Sequence, residues 1–374
     1  MSTIRTVLVV GGGIGGMSAA ICLSKGGIAV DLVELDAHWR ALGTGVTINS
    51  AALRAFASVG VLAEIKREGH CGGVITLRKG DGEVLFTGPA QSPFGPDVPT
   101  AGGILRPVLH RILSEETLGS RVIVKLAVTV ASLRQSPSGV EVGFSDATSA
   151  TYDLVLGADG LHSKVREMIF PHAPKPRFTG QGCWRALVPR PSEVDGARMY
   201  FGSQKAGVNP VSQDQMYLFL LHNVRENRWM PPKSWPELLK AELTEYTDPV
   251  IIKVRESLNE TSSINYRPLE ALLLPDPWYQ GRILLIGDAA HATTPHNAFG
   301  AGLAVEDGIV LAELINSELP AEQVLRRFME RRFERCRLVV EMSVRLGDLE
   351  QRGAPLEEHM QTMANVAQVI VRPI

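Results

Sequence analysis

Short, strongly apolar runs recur along this chain of 374 residues and predict buried β-strands. The first, residues 6–10, is β-branched and apolar throughout, as in a strand covered on both faces. A small-residue stretch at 17–23 predicts a helix, and residues 29–33 predict a second strand. The same strand pattern returns at 153–156 and at 282–286. Such strands, separated by helices, predict one mainly parallel sheet.

The pattern changes between residues 171 and 277. Strand-like pieces such as 183–188 and 216–222 alternate there with polar turns, and residues 234–245 are typical of a helix. This alternation predicts an antiparallel sheet that forms a separate layer. A long charged helix is predicted over 321–346, and its arginines are interleaved with acids as on a solvated helix face.

A glycine-rich turn joins the first predicted strand to the first helix. It contains G-x-G-x-x-G at Gly11, Gly13 and Gly16. In this motif the first glycine permits a tight turn, the second lets the backbone approach a pyrophosphate, and the third lets the helix pack close to the strand. The helix N-terminus offers unpaired N–H groups to the phosphates. Glu34, at the end of the second strand, can accept hydrogen bonds from ribose hydroxyls. Together these features predict a dinucleotide site but do not say which dinucleotide binds.

Composition mainly excludes other classes of protein. The formal net charge of −2 gives no footprint for nucleic acid, and 45% hydrophobic residues is ordinary for a globular enzyme. No apolar run is long enough to span a membrane. Only five residues precede the first predicted strand, too few for a signal peptide, so a cytoplasmic protein is expected. Four cysteines without a C-x-x-C pair and nine dispersed histidines predict no metal site.

Acidic residues follow three of the predicted parallel strands: Glu34, Asp159 and Asp288. Ligands of doubly wound sheets collect at the carboxyl ends of the strands. We therefore expect the three acids to surround one extended cofactor. A turn or helix cap is the alternative role for each aspartate, and it would account for Asp159 taken by itself.

These motifs resemble those of single-component flavoprotein aromatic hydroxylases of the p-hydroxybenzoate hydroxylase and salicylate hydroxylase type. The likeness covers nearly the whole chain, in three blocks and one weaker match. The blocks are the glycine motif through Glu34 and Arg40; residues 153–160 with Ser163 and Arg166; residues 287–291 with Pro295, Gly300, Glu306 and Asp307; and, more weakly, Arg106 with Leu109 and Leu113.

The resemblance implies an α/β fold in which a Rossmann-like FAD-binding domain carries an inserted antiparallel-sheet substrate domain and a long C-terminal helix. The expected division is a discontinuous FAD-binding domain at 1–73, 102–170 and 279–320, a substrate domain at 74–101 and 171–278, and a C-terminal helical segment at 321–374.

The resemblance also implies where FAD binds. The pyrophosphate would lie on the glycine motif, Asp288 would bind the ribityl hydroxyls, and the helix after Gly300 would face the pyrimidine end of the flavin. Asp159 would serve both FAD and the nicotinamide donor. The implied cofactor-binding residues are Gly11, Gly13, Ile14, Gly15, Gly16, Glu34, Arg40, Arg106, Asp159, Asp288, Gly300, Ala301 and Gly302. Relatives usually carry glutamine before the glycine; Phe299 stands here and would remove a polar group beside the ring.

The implied reaction is a monooxygenation of the kind used in the catabolism of aromatic compounds. NADH or NADPH would bind transiently and reduce FAD, and O2 would then form a flavin C4a-hydroperoxide. This species would hydroxylate a small electron-rich aromatic or N-heteroaromatic compound. Two alternatives stay open: another FAD-dependent oxidoreductase, such as a reductase or halogenase, and a non-catalytic flavin-binding protein. A homodimer also stays open.

The resemblance also implies which residues take part in catalysis and in substrate binding. Pro295 would lie beside the flavin, and His296, which follows it, could act as general base toward the substrate. Tyr217 and His222 lie on one predicted strand with opposite parity, so only one of them should face the substrate, and Tyr217 is favoured. Arg185 could hold a substrate carboxylate, although an ordinary ion pair is an equal alternative. The implied substrate-binding residues are therefore Arg185, Tyr217, His222 and His296.

Overall fold

The structure is a computed structural model that describes residues 4–41, 43–137, 139–226 and 230–374. Its strands are, in chain order, β1 (Thr6–Val10), β2 (Ala29–Glu34), β3 (Gly45–Asn49), β4 (His70–Cys71), β5 (Thr76–Lys79), β6 (Val84–Thr87), β7 (Ala101–Leu105), β8 (Ile123–Leu126), β9 (Val130–Ser136), β10 (Gly139–Phe144), β11 (Ser149–Tyr152), β12 (Leu154–Gly157), β13 (Arg177–Pro189), β14 (Arg198–Phe201), β15 (Lys205–Pro210), β16 (Gln215–Asn223), β17 (Ile264–Ala271), β18 (Tyr279–Gln280) and β19 (Ile283–Leu285).

The α-helices connect and cover these strands. They are α1 (Ile14–Lys25), α2 (Ser50–Val59), α3 (Leu62–Glu68), α4 (Arg106–Gly119), α5 (Lys164–Ile169), α6 (Trp235–Glu242), α7 (Pro249–Ser257), α8 (Asp288–His291), α9 (Gly300–Asn316), α10 (Ala321–Gln351) and α11 (Leu356–Ile370). Short 3-10 turns form at Pro232–Ser234 and Pro295–Asn297. No helix in the described ranges has both the length and the apolar character that crossing a bilayer requires.

The predicted parallel sheet is confirmed. Within the described chain its strands run in the order β18–β19–β12–β1–β2–β8, and all neighbours are parallel except the edge pair β18–β19. The strand β1 lies between β12 and β2, and its last four residues are buried. This double covering explains why the run at 6–10 is apolar at every position rather than at alternate positions. The carboxyl ends of β1, β2 and β19 therefore meet at one edge.

Helices α1 and α9 pack closely on this sheet because small residues line their contact. A Cβ added to Gly308 would lie 2.6 Å from the Cα of Ala19, and one added to Gly15 would lie 3.1 Å from the Cβ of Ala304. Larger side chains would separate the helices. The close approach brings the N-terminus of α9 beside the glycine turn that precedes α1.

The second layer is a seven-stranded sheet, ordered β17–β13–β16–β15–β14–β5–β6 among the described residues. It is antiparallel, as predicted, apart from the parallel pair β14–β5. One face, which includes Trp184 and Leu220, packs against α6 and α7. The opposite face points toward the parallel sheet and α10. The small sheet β3–β7–β4 lies between the two layers, and β9–β10–β11 form a separate meander.

The C-terminal region differs from prediction in two ways. Helix α10 continues past residue 346 to Gln351, and a second helix, α11, packs back along it. The arginines of α10 are also not all solvated. Arg332 is fully buried and Arg335 is 9% exposed, because both meet carboxylates of α9. The expectation of a solvated face was wrong for these two positions.

Candidate active site

The glycine turn after β1 forms a cradle that is open on one side. Gly11 has φ of +107°, and a Cβ there would lie 2.6 Å from the carbonyl oxygen of Ala158. A Cβ at Gly16 would collide with the carbonyl of Gly11. At Gly13, by contrast, a Cβ would meet nothing within 4 Å. Gly11 and Gly16 are thus required by backbone packing, whereas Gly13 borders free space, as a turn that receives a pyrophosphate requires.

A cavity of about 400 Å³ lies in front of this turn and is lined by Gly13, Ile14, Glu34, Arg40 and Arg106, among others. The two oxygens of Glu34 accept hydrogen bonds from the backbone N–H groups of Gly12 (2.7 Å) and Asp36 (2.8 Å). Glu34 therefore fixes the turn in addition to offering its remaining lone pairs to a ribose. Arg40 lines the same cavity while it pairs with Asp36 at 2.9 Å.

Asp288, at the start of α8, is an exposed residue close enough to Arg106 for their charges to interact. Loss of water around the Asp288 carboxyl raises its pKa, although the charges of His291 and Arg106 oppose that rise. The same loss of water lowers the pKa of Arg106, and the charge of Asp288 opposes that fall. A carboxyl and a guanidinium held in this way suit polyhydroxyl and phosphate groups of one ligand.

The carboxylate of Asp159 contacts the N-terminus of α5. It accepts hydrogen bonds from the hydroxyl of Ser163 and from the backbone N–H groups of Lys164 (2.7 Å) and Val165 (3.0 Å). Both oxygens are therefore used at the N-terminus of α5. Asp159 therefore holds the N-terminus of α5, as the helix-cap alternative expects, and its contact with the cofactor stays a prediction.

The turn before α8 is anchored from α9 and α10 by a buried ion cluster. Asp307 accepts hydrogen bonds from the backbone N–H of Gly287 (2.8 Å) and from Arg332 Nε (2.8 Å), and it contacts His291 Nε2 at 2.7 Å. Glu306 is paired at the same time with Arg332 and Arg335. These contacts explain why Glu306 and Asp307 accompany the residues 287–291 in the sequence motif. We call these five side chains, His291, Glu306, Asp307, Arg332 and Arg335, the α9–α10 cluster.

One group of side chains in the described residues has the spacing of a metal site, namely His291, Asp307 and Cys336. His291 and Asp307 belong to the α9–α10 cluster, and Cys336 lies beside it on α10. Arg332 donates to Asp307 and approaches the sulfur of Cys336 at 3.4 Å, so the positive charge that a metal would bring is already supplied by a guanidinium.

Gly300, Ala301 and Gly302 form the first turn of α9, as expected. The side chain of Phe299 does not line the pocket, however. It is 1% exposed, it covers Gly302, and its ring centroid lies 5.9 Å from the guanidinium carbon of Arg335. Its side chain fills the core between α9 and α10, so Phe299 offers no polar group to the pocket, and the effect on the flavin stays a prediction.

Tyr217 lies on the face of the seven-stranded sheet that points toward the cofactor cleft. Its ring packs against the backbone of Gly45, and its hydroxyl makes a hydrogen bond with the hydroxyl of Thr47 on β3. Asn209 Nδ2 donates to the same Thr47 oxygen at 3.0 Å. Burial raises the pKa of Tyr217, against the effects of the Thr47 hydrogen bond and the charge of Arg185. The phenol is therefore neutral and fixed in place between the two layers.

Arg185 shares this face, because it pairs with Phe219 one step along β16 from Tyr217. It is half-buried, and its charge is felt by both Tyr217 and Arg106. No carboxylate of the described residues forms an ion pair with it. The ordinary ion pair considered as the alternative role for Arg185 is therefore not what the structure has.

His222 lies on the opposite face of the same strand. Its Nδ1 is 3.2 Å from Glu242 Oε1, and its ring packs against Trp184 and Tyr266 under the helical layer. Alternation along a strand separates it from Tyr217. Its assignment as a substrate contact is therefore corrected.

His296 follows Pro295 in the predicted turn, but neither ring nitrogen is free. Nδ1 lies 2.8 Å from the Thr294 hydroxyl, and Nε2 lies 3.1 Å from Glu350 Oε2. The side chain has no exposed surface. A general base needs a nitrogen within reach of the substrate. This geometry favours a role in holding the Pro295 turn.

Glu350 is the functional candidate that sequence reasoning missed. It is paired with Lys205 at 3.1 Å, it contacts His296, and it accepts a hydrogen bond from Gln181 Nε2 at 3.1 Å. Burial opposes its ionisation, but the charges of Lys205 and His296 and the hydrogen bonds outweigh burial and hold the pKa of Glu350 below its usual range. We call Glu350, Lys205, His296 and Gln181 the Glu350 cluster. No local sequence signal marks it, since its members come from four distant segments.

A glycine cradle with open space at Gly13, two acids and an arginine along one cleft fit FAD. A fixed tyrosine and an arginine without a carboxylate partner face that cleft from a second sheet. Together these features indicate a flavoprotein with a second binding wall opposite the cofactor. The chain belongs to the FAD binding domain family, whose model matches residues 5–343. It is an FAD-dependent monooxygenase of the type that acts on aromatic and heteroaromatic compounds.

Several relatives match nearly the full chain. A 2-heptyl-3-hydroxy-4(1H)-quinolone synthase of Pseudomonas aeruginosa is 31% identical over 354 residues, which cover 94% of this chain and 91% of the relative. A 3-amino-4-hydroxybenzoate 2-monooxygenase of Streptomyces cremeus is 29% identical and covers 91% and 86%. The fold is similar to that of Klebsiella pneumoniae HpxO solved with FAD and uric acid, with a TM-score of 0.81, 22% identity and coverage of 98% and 93%.

Proposed function

We propose that this protein uses NAD(P)H and O2 to hydroxylate a small electron-rich aromatic or N-heteroaromatic compound. The observation that carries the proposal is the pair of Tyr217 and Arg185, which lie on the sheet face that points toward the cofactor cleft. Tyr217 is a buried neutral phenol, and Arg185 is a half-buried cation without a carboxylate partner in the described chain. Half-buried charge without a partner is costly, so a bound anion or phenolate would explain Arg185.

The residues supply binding and orientation, while the cofactor supplies the redox chemistry. When bound, FAD accepts reducing equivalents from NAD(P)H and activates O2 for transfer to an aromatic ring. Gly11–Gly16, Glu34, Arg106 and Asp288 are the residues that we assign to holding it. The close-packed glycines and the N-terminus of α9 would place it beside Pro295.

The substrate would be held from the opposite wall. We assign to Arg185 the charge that favours the deprotonated form of a ring hydroxyl, or that binds a ring carboxylate. Tyr217 Oη keeps its proton and can donate a hydrogen bond to a ring substituent, with Thr47 and Asn209 fixing its position. Because a phenolate ring is more nucleophilic than a phenol, this arrangement favours attack on the activated oxygen.

His296 receives a different role from the one that its position in the sequence indicates. With both nitrogens engaged, we propose that it is a positioning residue that fixes the Pro295 turn through Thr294 and Glu350. The two-sided contact of Glu350, with the turn and with Lys205 of the substrate-side sheet, supports this role.

The test is a screen of NAD(P)H oxidation by the FAD-loaded protein over hydroxybenzoates, aminobenzoates, hydroxypyridines, uric acid and 4-quinolones, with mass analysis of products. The names of the relatives support including the last two classes. We expect at least one compound to accelerate NAD(P)H oxidation and to gain one oxygen atom. Accelerated oxidation with a product that lacks the added oxygen would favour a reductase. A yellow protein that no compound stimulates would favour a non-catalytic flavin-binding protein.

A further inference from the structure

A second cavity, of about 240 Å³, lies between the seven-stranded sheet and the turn that joins α10 to α11. Apolar side chains supply much of its wall, including Leu85, Phe201, Leu221 and Leu356. Leu85, at the mouth, is 36% exposed, whereas Leu221, at the floor, is 3% exposed. The cavity thus leads from the surface to a buried apolar floor. None of the cofactor-binding residues named above lines it.

This cavity lies on the same sheet face as the proposed substrate site. Leu221, Phe219 and Tyr217 alternate along β16 and point to one side. The ring centroids of Tyr217 and Phe219 are 6.0 Å apart, and Phe219 packs against the cluster that contains Leu221. Leu221 lies four residue steps along the strand from Tyr217, or roughly 13 Å. A continuous strip of apolar side chains therefore joins the two sites.

The charged side chains that line the cavity are paired: Lys79 with Glu83, and Lys205 with Glu350. Lys205 and Glu350 line it, are 5% and 9% exposed as side chains, and pair at 3.1 Å. A cavity in which the charges cancel offers little selectivity for an ionic ligand and favours a neutral one. The side-chain oxygen of Gln181, a residue that is 1% exposed and lines the same cavity, has no hydrogen-bond partner in the described chain. Gln204 Oε1 and His359 Nε2, on two further residues that line the cavity, also have no hydrogen-bond partner in the described chain, so the wall offers a few polar contacts beside its apolar side chains.

Leu85, at the mouth, belongs to an exposed apolar strand at the edge of the sheet. Strand β6 is the last strand of the sheet, and Val84, Leu85 and Phe86 are 47%, 36% and 44% exposed. Of these three, Leu85 lines the cavity, so an exposed apolar side chain stands at the point where a ligand would enter.

We propose that this cavity is a second subsite for the substrate and takes a neutral, mainly apolar arm attached to the aromatic ring. The proposal rests on the function proposed above and narrows its substrate class to aromatic compounds that carry a chain of several carbons. The ring would lie by Tyr217 and Arg185, and the arm would extend along Phe219 to Leu221 and the cavity. Lys205 and Glu350 form the wall beside the arm.

Binding to the oxidised, FAD-loaded protein tests the proposal without turnover. The probes are 4(1H)-quinolone and 2-heptyl-4(1H)-quinolone, measured by calorimetry and by perturbation of the flavin absorbance. Each buried methylene is worth roughly fourfold in affinity, so an arm that buries three or four methylenes along Phe219 and at the entry to the cavity should improve binding by about 100-fold.

Two substitutions narrow the cavity, and one serves as a matched control. Leu85→Trp narrows the mouth, and Ala354→Trp fills the wall between α10 and α11. Both positions lie at or near the surface, so the fold should persist, which FAD content and circular dichroism will verify. Val84→Trp adds the same bulk to the neighbouring residue of β6, which does not line the cavity. We expect the two cavity variants to remove at least about tenfold of the advantage of the heptyl arm and the control to leave it unchanged.

Each outcome is decisive. Equal affinity of the two quinolones for the wild-type protein overturns the subsite. A heptyl advantage that both cavity variants retain also overturns it, since the arm then lies elsewhere. If neither quinolone binds, the subsite is overturned, while stimulated NAD(P)H oxidation and oxygen insertion with hydroxybenzoates or hydroxypyridines would still support the proposed function.

Discussion

The α9–α10 cluster and the Glu350 cluster bury charge in different ways. In the α9–α10 cluster every carboxylate meets at least one guanidinium, and Glu306, Asp307 and Arg332 have no exposed side-chain surface. The Glu350 cluster has one lysine, one carboxylate and one imidazole, it borders a cavity, and it leaves an oxygen of Gln181 without a partner.

The two clusters also join different parts of the molecule. The first connects α9 and α10 to the turn at Gly287, all within the layer that holds the cofactor. The second connects β13 and β15 of the substrate-side sheet to the Pro295 turn through one residue of α10. A fully satisfied network makes a rigid support, whereas one beside a cavity can rearrange at lower cost. We infer that the first cluster preserves the cofactor site and that the second links substrate binding to it.

The largest effect is expected for Arg332→Met. Removing this guanidinium leaves Glu306 and Asp307 with less compensation at a fully buried site, and breaking such a pair costs about 3–5 kcal/mol. We expect the free energy of unfolding, measured by urea denaturation, to fall by that amount and FAD content to fall with it. Arg337→Met is the matched control, since Arg337 pairs with Glu334 and Glu341 on the solvated side of the same helix. The control should lose less than about 1 kcal/mol. Equal losses in both variants would contradict the rigid-support interpretation.

A smaller effect is expected for Glu350→Ala. Lys205 would remain buried without its partner, but the adjacent cavity gives water access, so we expect a loss of about 1–3 kcal/mol. FAD content should stay near that of the wild type, unlike that of Arg332→Met. The double variant Glu350→Leu with Lys205→Met removes both charges and should recover much of the lost stability. If the double variant is less stable than Glu350→Ala, the pair is not the source of the effect.

The two clusters also show which features of the fold and the site could be predicted from the sequence. The parallel strands and the glycine motif were predictable because their determinants are local: apolar runs of four to five residues and glycines at fixed spacing. Tyr217 was placed on the correct face relative to His222 because alternation along a strand needs no tertiary information. The paired arginines of α10 were not predictable, since the same run of arginines and acids is compatible with either a solvated or a buried face until the position of α9 is known.

The Glu350 cluster lay beyond sequence reasoning for a related reason. Glu350 meets residues that are 54, 145 and 169 positions away, and the predicted end of the long helix at 346 excluded it from that helix. Phe299 shows the same limit on a smaller scale. Its place in a motif was recognised, but the rotation that turns its side chain into the core is set by packing against Gly302 and Arg335.

The pH dependence of stability tests the charge state of the Glu350 cluster. Because the folded-state pKa of Glu350 is lowered, its contribution is present above the unfolded value of about 4.3 and is lost as pH falls below it. The difference in melting temperature between wild type and Glu350→Gln should therefore be constant from about pH 7 to pH 5 and shrink at lower pH. Glu357→Gln, at an exposed position of α11, is the control and should show no such difference. A difference in melting temperature that grows as the pH falls would contradict a lowered pKa of Glu350 in the folded state.

The smallest effect is expected at His296, and it decides between two roles. Loss of a general base typically costs on the order of 100- to 10,000-fold in rate. A positioning residue whose two nitrogens are bound to Thr294 and Glu350 should cost less, and we expect His296→Ala to lower the ratio of hydroxylated product to NAD(P)H consumed by less than about tenfold. His296→Gln keeps a polar group that can contact Glu350, so it should recover part of that ratio. The measurement is product formed and NAD(P)H consumed under identical conditions, together with the pH profile of the rate. A loss of 100-fold or more, with the acidic limb (the rise in rate as the base loses its proton) missing from the profile and no recovery in His296→Gln, would restore the general-base role. A small loss with an unchanged profile would instead place the chemistry of substrate recognition at Tyr217 and Arg185, where Tyr217→Phe should then have the greater effect.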